Sequence, residues 1–192
     1  PTPVAPGGLP WHARPMPVRL ALALSLLLAP AAGAQGLTFP FDATGRAALE
    51  TGLDMAAASL ANALVFSRDA AWEAGTQPMP PHIRQALLAW YPADLLDSIE
   101  YRVGIAEDST LQSLAMRYGE ANAVTLIDTI VFADPKEAES DIALWAHEVK
   151  HVEQVRRWGL MGFAQAYVRD HQSVEAEAYA IGAEVKARLG GN

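Results

Sequence analysis

Residues 142–159, IALWAHEVKHVEQVRRWG, carry the reading on which the fold and the chemistry of this chain depend. Ile142, Ala143, Leu144 and Trp145 form an apolar lead-in, and Val149 and Val152 then alternate with charge, the pattern of a helix buried along one side. Set into that helix is His147-Glu148-Val149-Lys150-His151, an HExxH pentapeptide. Positions i and i+4 leave a helix on one face. Two imidazoles so placed can reach a single ion at about 2.0 to 2.1 Å, while the Glu beside the first His turns toward an adjacent water. Zinc lowers the pKa of a water it binds to about 7, and a neighbouring carboxylate can take the proton and later hand it to a leaving amine. The spacing makes His147 and His151 candidate zinc ligands and Glu148 a candidate acid/base for hydrolysis, against the alternative of a fortuitous pentapeptide with two solvated histidines.

A catalytic zinc site needs a third protein ligand and one open position. Downstream candidates are His171, Glu175 and Glu177. Gly159 breaks the first helix, Leu160 to Val168 reads as a second, and Ser173 to Leu189 as a third that can fold back beside the first. On that third helix Glu175 and Tyr179 are one turn apart and share a face, whereas Glu177 points elsewhere. Glu175 is the expected third ligand, with His171 and Glu177 as the alternatives. Tyr167 and Tyr179 are candidates to donate a hydrogen bond to the oxyanion of a tetrahedral intermediate.

Working outward, the helix is read as beginning at Lys136, after Asp134-Pro135, with Glu137, Glu139 and Asp141 at its positive end. Ala123 to Phe132, AVTLIDTIVF, is β-branched and aromatic enough for a hairpin or one longer strand, and Thr129 to Phe132 is a candidate sheet edge for an added peptide strand. Thr110 to Tyr118 looks helical and Ile99 to Val103 extended. Short helices are expected over His82 to Trp90 and from Pro92 to Ser98. Gly75 to Pro81, with three prolines, marks a boundary, and Ala43 to Ala71 is an Ala-rich helix that Asp42 or Thr44 could cap. The fold class expected is α+β: a mostly helical, minimal domain with a small antiparallel strand cluster preceding the HExxH helix.

Composition narrows the rest. The 192 residues suffice for one core, and 51% hydrophobic against 19% charged residues is a globular balance. Fourteen Lys and Arg against 22 Asp and Glu give a formal net charge of −8, which argues against nucleic acid and against an anionic membrane surface as partners. With no cysteine, a disulfide framework, thiolate zinc knuckles and a cysteine nucleophile are excluded, so any metal falls to His, Asp or Glu.

Met16 to Ala34, MPVRLALALSLLLAPAAGA, has the basic start, apolar run and small-residue close of a secretory signal peptide, with residues 1–15 read as upstream of the true start. The apolar run is short for a bilayer span, so no stable membrane anchor is expected after cleavage. The organisation predicted is thus a leader over 16–34, a leading helix and linker over 35–75 and a metallopeptidase-like domain over 76–190, in an exported bacterial protein, periplasmic or secreted.

The run from Pro80 to Tyr179 resembles the extracellular contractile injection system (eCIS) core domain family, on PPHIRQALLAWYPADLLDSIEYRVG, LAMRYGEANAVTLIDTIVF, ALWAHEVKHVEQVRRWG and VEAEAYA. The resemblance implies a compact zincin-like fold with zinc on His147 and His151 and Glu148 as acid/base. Glu175-xx-Ala178 is similar to the element by which gluzincin peptidases supply a third ligand, with Tyr179 standing where those usually carry Asp. Gln154 is also part of the resemblance. Two functions follow as expectations: a zinc metallopeptidase acting on a peptide or protein through a Glu-activated zinc water, or a non-catalytic structural or injection-system-associated interaction domain with a structural zinc or none. His82 is expected on the surface, and Trp90, Trp145 and Trp158 in the core.

Overall fold

A computed structural model describes residues 43–104 and 121–190. The leader over 16–34, residue Asp42 and the helix expected over Thr110 to Tyr118 lie outside the described residues. The chain runs α1 (Ala43–Glu73), β1 (Gln77–Pro78), α2 (Pro81–Leu87), α3 (Ala93–Leu96), β2 (Glu100–Val103), β3 (Ala123–Leu126), β4 (Thr129–Phe132), α4 (Pro135–Ser140) and α5 (Ile142–Gly190). It is an α+β arrangement, mostly helical, with a four-stranded sheet ordered β1-β2-β4-β3. Among the described residues no helix is long and apolar enough to cross a membrane.

The sheet is mixed, which corrects the antiparallel cluster expected. β3 and β4 form the antiparallel hairpin, Leu126 facing Thr129, but β2 runs parallel to β4 with Glu100 beside Thr129 and Val103 beside Phe132. Gln77-Pro78, read as boundary only, adds an antiparallel edge against Tyr101 and Glu100. β4 is therefore an inner strand with all four residues buried, and among the described residues the outer strand beside α5 is β3, not Thr129–Phe132. An inner strand must be apolar on both faces, and the run TIVF meets that demand.

The hairpin turns at Ile127-Asp128, where Ile127 takes a positive φ of 64°. A left-handed backbone is costly for a β-branched residue, about 1 to 2 kcal/mol. Two contacts offset it: Ile127 packs on the cluster formed with α1, and Arg68 of α1 grips Asp128 through Nε and Nη2 at 2.9 and 2.8 Å.

The expected helix over 136–158 is two. Asp134 caps α4 by accepting from the Lys136 N–H, and Asp141 then leaves helical geometry, at φ −87° and ψ 82°, and accepts from the Leu144 N–H to start α5. Glu137 and Glu139 thus belong to α4. A short polar side chain offered its own helix start competes with continuation, and here it wins. α5 bends where expected: Gly159 at φ 72° and Asp170 at φ −155° divide it into segments over 142–158, 160–169 and 171–190. Asp170 caps the last of these through the Ser173 N–H and hydroxyl.

Two apolar clusters flank the first segment of α5. One gathers Ile83, Leu87, Leu95, Leu96, Ile130 and Trp145, with Tyr101, Phe132 and Trp145 in ring contact at 4.6 to 6.2 Å. The other joins Leu60 and Leu64 of α1 to Val131, Val155 and Phe163. Trp145 is wholly buried, its indole N–H given to the Ala138 carbonyl at 2.8 Å, while Trp90 and Trp158 are half-buried at the margins of the two clusters. His82 is exposed, its Nε2 at 2.7 Å from the Glu139 carbonyl oxygen. Between these clusters α5 turns a polar stripe inward.

Candidate metal centre

The stripe consists of His147, Glu148, His151 and Gln154, all buried, and the last segment of α5 folds back to lay Glu175 against it. The Asp170 bend makes this possible, because it reverses the chain soon enough for residue 175 to face residues 147 and 151. His147 Nε2 and His151 Nε2 are 3.3 Å apart, and Glu175 Oε2 lies 3.5 Å from the first and 3.6 Å from the second. Three atoms thus form a nearly equilateral triangle. The ligand atoms of a tetrahedral site, each about 2.0 to 2.1 Å from its ion, stand about 3.3 to 3.4 Å from one another. The triangle fits a zinc ion with one position left for another ligand, and two nitrogens with one oxygen are a donor set that suits it.

The neighbours of the three fix their directions. Tyr167 donates its hydroxyl to Glu175 Oε1 at 2.9 Å, which leaves Oε2 for the triangle. Gln154 Oε1 lies 2.9 Å from His151 Nδ1, so the ring turns Nε2 inward. Tyr179 stacks edge-on against His147, with ring centroids 4.6 Å apart. Such supporting contacts orient ligands and tune their basicity.

Electrostatics follow from the packing of unlike charges out of water. Burial disfavours the His151 imidazolium, yet the charge and hydrogen bond of Glu175, the charge of Glu148 and the bond to Gln154 outweigh it and raise its pKa to about 9. Burial likewise pushes Glu175 up, and the two histidines pull it well below the carboxylate range. Tyr179 is pushed up to about 12 by burial and by the charges of Glu175 and Glu148, and Tyr167 rises for the same reasons. Both tyrosines therefore keep their protons at any physiological pH, as hydrogen-bond donors must.

Glu148 is not part of the triangle. Thr125, on β3, donates to Glu148 Oε2 at 2.7 Å and lies 3.0 Å from its carbonyl oxygen. Sequence reasoning missed Thr125; its only signal was a hydroxyl in the middle of an apolar strand. Of the alternative ligands, neither His171 nor Glu177 joins the group of three. His171 lies near Tyr167, with ring centroids 6.1 Å apart, and Glu177 instead accepts from Gln154 and Arg157. Lys150, the charged residue inside the pentapeptide, reaches out to Glu153 at 2.6 Å and toward Glu177 at 3.7 Å, so its charge leaves the buried face.

No curated protein and no solved structure matches the chain. One family model does: residues 78–159 match the eCIS core domain. The match covers β1 through the first segment of α5 and so includes His147, Glu148, His151 and Gln154, while Tyr167, Glu175 and the VEAEAYA stretch fall beyond it. Over those residues, less than half its length, this chain is similar to the core domain of an extracellular contractile injection system.

Proposed function

We propose that this chain is an injection-system-associated protein whose core domain binds zinc through His147, His151 and Glu175 and hydrolyses peptide bonds at that site. The association rests on the family match over residues 78–159, which by itself says nothing of hydrolysis. The metal reading rests on the triangle of 3.3, 3.5 and 3.6 Å edges, the single observation that carries most. A zincin-like fold is part of the same proposal, supported by the helix that bears both histidines and the returning helix that bears the acid.

A zinc ion bound there supplies Lewis acidity, polarising a carbonyl and lowering the pKa of a water at neutral pH. The chain's own groups do the rest. Glu148, buried and outside the triangle, takes a proton from the attacking water and returns it to the leaving amine. Thr125 holds one oxygen of that carboxylate, which sets its orientation. On this reading Tyr179, whose ring packs on His147, donates toward developing negative charge on the substrate oxygen. Tyr167 serves Glu175 instead, which makes it the weaker oxyanion donor. Export of the chain is a further part of the proposal and rests on residues 16–34 alone.

A second reading has the family match on its side: a non-catalytic interaction domain in which the ion only staples the segments of α5. One pair of variants separates them. On the hydrolytic reading Glu148→Gln keeps zinc and fold while peptide cleavage drops by about 10²- to 10⁴-fold. On the structural reading Glu148→Gln is silent and His147→Ala unfolds the domain. Unchanged cleavage by Glu148→Gln, with cleavage present in the parent, would refute the catalytic role of Glu148.

A further inference from the structure

Gln154 has 0% exposure and lies one turn after His151, on the polar stripe between the clusters that hold Val149 and Val152 on one side and Val155 on the other. An amide in that position costs folding free energy unless all its polar atoms are engaged. They are. One N–H of Nε2 goes to the Val174 carbonyl at 2.9 Å and the other to Glu177 Oε2 at 3.2 Å, while Oε1 faces His151 Nδ1 at 2.9 Å.

Those partners determine which way the amide points. A backbone carbonyl only accepts, and so does an ionised carboxylate. Glu177 faces two cations, with Arg157 Nη2 and Lys150 Nζ at 3.0 and 3.7 Å from Oε2, so it stands there as an acceptor. Arg157 Nη2 lies 3.0 and 3.3 Å from its two oxygens. Reversing the amide would set its oxygen against two acceptors, so Oε1 must face the imidazole. An acceptor there requires a proton on His151 Nδ1, and a neutral ring with its proton on Nδ1 carries its lone pair on Nε2, the atom that belongs to the triangle.

We propose that Gln154 is a positioning residue that locks His151 in the tautomer protonated at Nδ1 and so presents Nε2 to a divalent metal ion shared with His147 and Glu175. The role rests on the metal-site reading above and deepens it. The lock spans both arms of α5, since Gln154 and His151 are on the first segment while Val174 and Glu177 are on the last, as is Glu175. One amide thus ties the tautomer of one ligand to the docking of the helix that brings the third. Glu177, weighed from sequence as a ligand, is in this arrangement the outer anchor of the lock, held in turn by Arg157.

The test uses the full chain and zinc alone. In the zinc-loaded parent protein, long-range proton–nitrogen correlation spectra should show His151 protonated at Nδ1 and coordinated through Nε2; the opposite tautomer overturns the proposal without any variant being made. Competition with a chromophoric chelator should show that Gln154→Leu loses about 10- to 100-fold in zinc affinity. In the metal-free proteins, at a pH where the ring is neutral, the same spectra should show the Nδ1 tautomer in the parent and a mixture of tautomers in Gln154→Leu, whereas a merely structural role would leave the two alike. A folded Gln154→Leu protein that binds zinc as the parent does sinks the lock and leaves the metal site standing. A parent protein that takes up no zinc sinks both.

Discussion

Glu175 and Asp97 each face a cation, but in opposite surroundings. Glu175 is buried against two imidazoles, with its side chain 12% exposed, whereas Asp97 stands 57% exposed beside Arg84. In water an ion pair gains little, because solvent already stabilises both charges and two long side chains must be ordered to meet. Out of water, desolvation opposes the pair and only close geometry with further hydrogen bonds repays it. The outer pairs Arg84–Asp97, Arg156–Asp94 and Arg169–Glu50 need no special setting. The inner group has one: Thr125 and Tyr167 donate hydrogen bonds to its carboxylates and Gln154 accepts one from its imidazole. A protein seeking stability alone could fill that space with apolar side chains at no loss. Retaining two histidines and two carboxylates there supports a ligand that needs them.

The sharpest way to break the contrast is at Glu175. Glu175→Ala should lower zinc affinity by more than the roughly 10- to 100-fold expected for a supporting residue, since it removes one of three ligands. Zinc stoichiometry of the purified variant measures it. Unchanged metal content would return the third-ligand role to another group and reduce the inner charges to an expensive structural pair.

A second, smaller effect comes from protonation. The pKa of His151 rises from 6.5 to about 9 on folding of the metal-free protein, so its contribution to stability is complete below about pH 6.5 and fades as pH climbs through about 9. Glu175 is shifted the other way, so its contribution is complete above its ordinary value of 4.5 and is lost only in stronger acid. Zinc must displace a proton from His151, so its apparent affinity should rise by up to tenfold per pH unit over that same interval. From pH 6.5 to 9 the metal-free melting temperature should therefore fall while the zinc-induced increase in melting temperature widens. Thermal melts with and without zinc read both slopes, and a zinc effect independent of pH would show that protons and metal do not compete at His151.

What could be foreseen follows the range of the interactions. The His147–His151 spacing, the Gly159 break and the Asp170 turn are local, and so was the choice of Glu175 over Glu177 by helix face. The pairing of β2 with β4 was not visible, because residues 100–103 and 129–132 are far apart in sequence and a parallel register leaves no turn to mark it. The two-residue strand β1 is too short to show alternation, and its proline suggested a boundary. The split at Asp141 was missed because helical spacing continues through it; the cap that interrupts it is one side-chain bond. Thr125 and Glu177 entered the site's surroundings only through tertiary contact. Gln154 was visible as an amide one turn beyond His151, but its spacing alone did not say what it holds.

The smallest expected effect completes the contrast from outside. Arg84→Ala and Arg156→Ala remove the α2–α3 and α3–α5 pairs, both exposed, and should leave the melting temperature and zinc affinity unresolved from the parent. Salt should agree with mutation. At about 1 M ionic strength the screening length falls to about 3 Å, which weakens exposed pairs and reaches a buried group far less. Zinc binding measured with chelator competition should then be nearly the same at low and high salt. A steep salt dependence would mean that water and ions enter the space around Glu175, and that the inner charges are solvated as freely as those of Arg84 and Asp97.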